Sequence, residues 1–274
     1  MPDTIPADAH AMIIGAMKCG TSSLYDYLCG HPEICPSKTK EPEFFSKNER
    51  HGINAVNYHD LFSFDGSKHT YTLEASTGYT KYPREPNVPR NIYEYGILPK
   101  FIYLIRNPFD RIQSHYNFMQ WDDHWTLDII DHHLINTSNY FLQLERYKPY
   151  FPMNRFLILD FDDLKNNPSG LLRDIYNFLG LSHSYFPDHY EVANQSPMSG
   201  IEKKLKNIKI DRLCSHLPAS FRHTLRVALG KIFPATKREL TDAEREYIFN
   251  QLRKSMQRLH ELYGIDIQKW GFGP

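Results

Sequence analysis

Short, mostly apolar segments of strand length punctuate this chain: Ala11–Ile14, Tyr71–Ala75, Phe101–Ile105 and Arg155–Asp160. Each is bounded by turn-forming or charged residues, and the continuous run at 101–105 is the signature of a central parallel strand, buried on both faces. Between and after them the period lengthens. A helix is predicted from Thr21, another from Pro108, and mostly helical chain from Leu127 to Tyr147, with Tyr140, Leu142 and Leu144 at its later turns. Asn167-Pro168 opens a helix with apolar residues at Leu171, Leu172, Ile175, Phe178 and Leu179, closed by Gly180. Near the C-terminus, Thr241 and Glu244 have the spacing of a capping box, and Ile248, Leu252, Met256, Leu259 and Tyr263 form one stripe before Gly264. Strands alternating with helices predict an α/β fold: a single domain over 1–274, built on a parallel sheet of four or five strands with helices on both faces. Residues 10–180 form the core, and 181–274 supply a loop and a helical part packed on it.

Composition narrows the chemistry. The 274 residues carry 32 Lys+Arg and 32 Asp+Glu, so no net charge recommends nucleic acid or an anionic membrane as a partner. Any anion site is therefore local. Cys19, Cys29, Cys35 and Cys214 form no C-x-x-C pair and no zinc spacing. With no signal-peptide pattern and no long apolar run, the expectation is a reduced, cytoplasmic protein without a structural metal.

The candidate chemistry starts where the first strand ends. Gly15-Ala16-Met17-Lys18-Cys19-Gly20 links it to the helix opening at Thr21-Ser22-Ser23, and hydroxyl residues there are expected to cap free N–H groups. Strand, glycine-bearing loop and helix N-terminus together make an anion site, a phosphate-loop arrangement. The spacing Gly15 to Gly20 matches a nucleoside-triphosphate loop, but Thr21 stands where that loop needs lysine, and Lys18 comes three residues earlier. The ligand implied is a phosphate other than a nucleoside triphosphate. A second feature lies at the end of the 101–105 strand: Arg106, with Ser114 eight residues later on the next helix, can hold one phosphate between a fork and a hydroxyl.

The segment Lys18–Leu24, K-x-G-T-[ST]-[ST]-L, resembles the 5′-phosphosulfate loop of sulfotransferases that use 3′-phosphoadenosine 5′-phosphosulfate (PAPS). The likeness is to the heparan-sulfate-type branch and its bacterial relatives. Three further segments carry it. Lys40-Glu41-Pro42-Glu43-Phe44-Phe45 resembles K-E-P-x-F-F. Arg106 to Tyr116 resembles R-[ND]-P-x-x-R-x-x-S-x-Y. Glu74 to Tyr79 resembles E-K-[ST]-P-x-Y, although Ala75 and Thr77-Gly78 depart from it.

The resemblance implies transfer of a sulfuryl group from PAPS to a hydroxyl or amine, leaving 3′-phosphoadenosine 5′-phosphate (PAP), with no metal required. Lys18 would neutralise the leaving phosphate, while Cys19, Gly20, Thr21, Ser22 and Ser23 would bind the 5′-phosphate with it. Arg106 and Ser114 would bind the 3′-phosphate. Glu74 would be the general base, and Lys40 would face the reacting centre. Asn194, Gln195, Ser196, Lys203 and Lys204 fall where relatives close over the nucleotide, or else form a solvated loop; His132 and His133 read as surface residues. The acceptor expected is a small molecule or saccharide, as in secondary metabolism, and the oligomeric state is not legible. Two rivals are a P-loop small-molecule kinase, which would need ATP and Mg²⁺, and a non-catalytic PAP-binding protein.

Overall fold

The computed structural model describes residues 4–47, 57–120, 125–190 and 237–273. The expected closure residues 194–196, 203 and 204, and Cys214, lie outside them. Five parallel strands form the sheet: β1 (His10–Gly15), β2 (Ile34–Pro36), β3 (Tyr71–Ala75), β4 (Lys100–Ile105) and β5 (Phe156–Asp160), in the order β2-β3-β1-β4-β5. β2 is an addition to the sequence reading. Its proline-punctuated segment looks like a turn, yet an edge strand of three residues tolerates proline at its last position. Every residue of β1 and β3 is buried, as is β4 beyond Lys100.

Helices flank the sheet: α1 (Thr21–Cys29), α2 (Val88–Tyr95), α3 (Pro108–Met119), α4 (His132–Thr137), α5 (Tyr140–Glu145), α6 (Phe161–Asn166), α7 (Pro168–Leu179) and α8 (Asp242–Tyr263). Their starts follow local chemistry. Pro108 and Pro168 sit in first turns that need no N–H, capped by the Asn107 and Asn167 side chains. The capping box of Thr241 and Glu244 is formed, and Ile248, Leu252, Met256 and Leu259 bury the predicted stripe. The stretch 127–147 is two short helices rather than one, because Ser138 ends α4 and the Asn139 side chain caps α5.

Strand order decides where a ligand belongs. The chain leaves β1 toward β2 on one side, whereas β4 leads to β5 on the other. Connections diverge between β1 and β4, opening a crevice outside their carboxyl ends, and that is where open α/β sheets bind ligands. The Lys18 loop follows β1 and Arg106 follows β4, so both features expected to bind phosphate lie at the mouth of that crevice.

Candidate active site

The β1–α1 loop takes a shape that ordinary residues resist. Gly15 has φ +138° and a Cβ there would lie 2.2 Å from Thr80 Oγ1, the hydroxyl that donates to the Ile14 carbonyl (2.8 Å). Lys18 has φ +69°, a left-handed conformation costly for a side-chain-bearing residue. Gly20, at φ +84°, is the N-cap of α1 and has no side chain to accept from the first-turn N–H groups. The expectation of hydroxyl capping is therefore corrected: Thr21 is the first helical residue, and no side chain closes this end. Backbone N–H groups at a helix start are suited to an anion. Cys19 turns inward instead. Its N–H is donated to the Ala16 carbonyl (3.1 Å) and burial pushes its thiol up to about 12. Thr21 and Ser23 are buried and Ser22 half-buried.

Across the crevice, the Arg106 guanidinium stacks 4.7 Å from the centre of the Phe161 ring and pairs with Asp110 at 3.5 Å. The other contact of Phe161 matters equally: a Cβ on Gly20 would meet its ring at 2.9 Å. One ring thus touches both Gly20 of the loop and Arg106, a role no pattern in the sequence announces. Tyr140 holds the Arg106 backbone, donating its hydroxyl to the Arg106 carbonyl at 2.7 Å. Lys18 stands 4.2 Å from the centre of the Phe118 ring. Burial, and after it the charge of Arg106, lowers the Lys18 pKa, while Glu41 opposes the shift. Two cations that disfavour each other make a site waiting for negative charge. Ser114 is half-buried on α3.

Glu74 is not the exposed strand-end carboxylate its position suggests; it is fully buried. Tyr58 and Tyr79 both donate to its Oε1, at 2.9 and 3.0 Å, and Ser76 donates to Oε2 at 2.7 Å. Burial outweighs these donors and raises its pKa from 4.5 to about 7. Tyr58 comes from a single turn, Tyr58–Leu61, that no motif marks. A second buried carboxylate stands nearby. Glu43 accepts from the Gly78 N–H and from Ser46, both at 2.7 Å, and burial raises it to about 7 as well. Its own N–H donates to Ser76 at 3.0 Å, so the K-E-P-E-F-F segment is tied to the strand end that bears Glu74.

Lys40, by contrast, is exposed, lying near Cys29, and no contact joins it to Glu74 among the described residues. Nor is His133 a plain surface residue: it is half-buried, its ring 5.8 Å from that of His115. No group of three or more His, Cys, Asp or Glu among the described residues could hold a metal ion.

The profile of the sulfotransferase domain matches residues 8–209, which takes in the loop, both strand ends and α1 to α7. The chain belongs to the sulfotransferase family. It falls within the PAPS-dependent superfamily that its loop and strand-end motifs resemble. This sulfotransferase is 25% identical over 215 residues to the mouse bifunctional heparan sulfate N-deacetylase/N-sulfotransferase 4, covering 69% of the chain and 24% of that protein. It is 28% identical over 196 residues to human heparan sulfate glucosamine 3-O-sulfotransferase 5, covering 65% of the chain and 55% of that protein. The sulfotransferase thus spans from about a quarter to about half the length of these curated relatives. A sulfotransferase from Alicyclobacillus acidocaldarius shares the fold, with a TM-score of 0.65 and 23% identity, over 95% of this chain and 98% of that one.

Proposed function

We propose that this protein transfers a sulfuryl group from PAPS to a hydroxyl or amine of a small-molecule or saccharide acceptor. The observation that carries the reading is the crevice between β1 and β4. There the positive-φ Lys18 and the glycine-capped start of α1 lie close to Arg106, whose guanidinium stacks on the ring that also meets Gly20. The residues fit a bisphosphorylated nucleotide: Lys18 with the N–H groups from Gly20 to Ser23 for the 5′ end, Arg106 and Ser114 for the 3′ end. The donor, when bound, supplies an activated sulfuryl group whose departing phosphate gains charge.

Lys18 is placed where that charge develops, so its attraction grows toward the transition state and accelerates the step. Glu74 is the base. Two hydroxyls fill Oε1 and, among the described residues, Ser76 alone donates to Oε2, which leaves Oε2 the oxygen with capacity for the acceptor's proton. A pKa near 7 suits proton abstraction at neutral pH. Glu43 and Ser76 hold this carboxylate against the segment 40–45 rather than touching the acceptor themselves. The exposed Lys40 would steady the sulfuryl oxygens only if an acceptor drew its side chain inward.

A thermal titration with PAP, against ATP with Mg²⁺, tests the reading, because a ligand of the folded state raises Tm by mass action. Stabilisation by PAP, lost in Arg106→Ala, is expected. Stabilisation by ATP with Mg²⁺ alone would make the protein a kinase instead. PAP binding without sulfation of any acceptor in a broad sugar and metabolite screen would favour the non-catalytic rival.

A further inference from the structure

A second arginine of α3 lies deeper than the first and is fully buried. Arg111 uses its whole fork. Nε donates to the Ser138 hydroxyl, one terminal nitrogen to the Leu134 carbonyl (2.8 Å), and the other to the Met17 carbonyl (3.3 Å) and to His115 Nδ1 (3.0 Å). A guanidinium only donates, so Nδ1 must accept. His115 is therefore neutral, with its proton on Nε2. Its pKa, held well below the ordinary value by burial and by Arg111, agrees.

No carboxylate among the described residues pairs with this cation. A buried charge without a counter-ion is costly, and a fold that retains one needs a reason. The reason is at its tip. Met17 directly precedes Lys18, the residue in the left-handed conformation, and the guanidinium grips the Met17 carbonyl from behind. The same side chain is rooted in α3, which carries Ser114, and in α4 through Leu134 and Ser138.

We propose that Arg111 is a positioning residue of the donor site, fixing the Met17–Lys18 turn through the Met17 carbonyl and placing positive charge behind the loop that receives the 5′-phosphate. The inference rests on the PAPS reading and adds to it a residue that binds through the backbone rather than by contact. Lysine cannot substitute. Its ammonium has three donors at one point, whereas four acceptors surround Arg111 on different sides.

The test compares Arg111→Lys with wild type for binding of three probes by calorimetry or competition: PAP, 5′-AMP and 3′-AMP. If Arg111 acts on the loop, Kd for PAP and 5′-AMP rises about tenfold or more, as expected on losing a charge-assisted anchor. Kd for 3′-AMP, held at the Arg106 end, stays within about threefold. Equal affinity of variant and wild type for PAP overturns the inference. So does an equal loss for all three probes, which would mean general damage. Failure of wild type to bind PAP removes the donor reading and this inference with it, a result distinct from either. Should Arg111→Lys not fold, Ser138→Ala frees the Nε end while keeping the charge. The same selective loss, smaller in size, is then expected, and its absence overturns the inference.

Discussion

Glu74 shows how one side chain can set stability and activity against each other. Its carboxyl is fully buried, faced by Tyr58, Tyr79 and Ser76, with Glu43 close by. Its pKa is raised from 4.5 to about 7, so the folded protein binds a proton that the unfolded chain has lost over that window. The stabilising contribution is fully present below about pH 4.5 and gone above about pH 7, a difference of about 3 kcal/mol. Activity runs the other way, since a base must be ionised to accept a proton. We expect kcat/KM to rise through an apparent pKa near 7, and kcat to fall at least about tenfold in Glu74→Gln with PAP affinity unchanged. In the same variant the Tm difference from wild type should move in favour of Gln as pH rises from 4.5 to 7. A difference independent of pH would show that Glu74 is ionised throughout. Glu74 was legible as a candidate from its place in the strand-end motif, but its burial was not. Two of its three partners, Ser76 and Tyr79, follow within five residues, whereas Tyr58 reaches it from a turn sixteen residues upstream. Linear spacing carries no trace of that last contact.

At the scale of elements, the strongest local signals survived folding and the ambiguous ones did not. Proline with a preceding asparagine marks the starts of α3 and α7, and the capping box marks α8, because each acts within a few residues of chain. The start of α1 misled because three hydroxyl residues in a row look like caps, whereas the cap position belongs to Gly20 in a left-handed conformation. That choice has a consequence to test. In Gly20→Ala, the new methyl meets both an unfavourable φ of +84° and the Phe161 ring at 2.9 Å. Phe161 must move, and Arg106 stacks on its face. We expect a loss of about 1–2 kcal/mol in stability and a larger proportional loss of PAP affinity. Thr241→Ala is the counterpart: it removes the α8 cap for about 1 kcal/mol and leaves PAP binding unchanged. Equal effects of the two variants on PAP would mean that binding follows overall stability rather than loop shape.

The whole molecule closes on itself near the same crevice. Beyond α8, Lys269 pairs with Asp160 at 2.8 Å, at the end of β5, and Trp270 packs edge-on against Tyr140, whose hydroxyl holds the Arg106 backbone. Phe272 is sandwiched between Phe109 of α3 and Phe249 of α8, with ring centres 5.3 and 5.2 Å away. That the tail reaches Tyr140, Asp160 and Phe109 is not legible in the sequence, because those contacts join residues more than a hundred positions apart. Truncating Phe272→Ala leaves a cavity between two rings and should cost about 3–4 kcal/mol. If the tail braces the site, the loss is not confined to stability. Phe109 lies three residues after Arg106, so the first turn of α3 loosens and Kd for PAP rises several-fold in protein that is still folded. Saturating PAP then recovers less Tm in Phe272→Ala than in wild type, because the recovered stability depends on the ratio of ligand to Kd. Equal recovery in the two proteins would make the tail a pure stabiliser, leaving the crevice to be shaped by β1, β4 and the Phe161 ring alone.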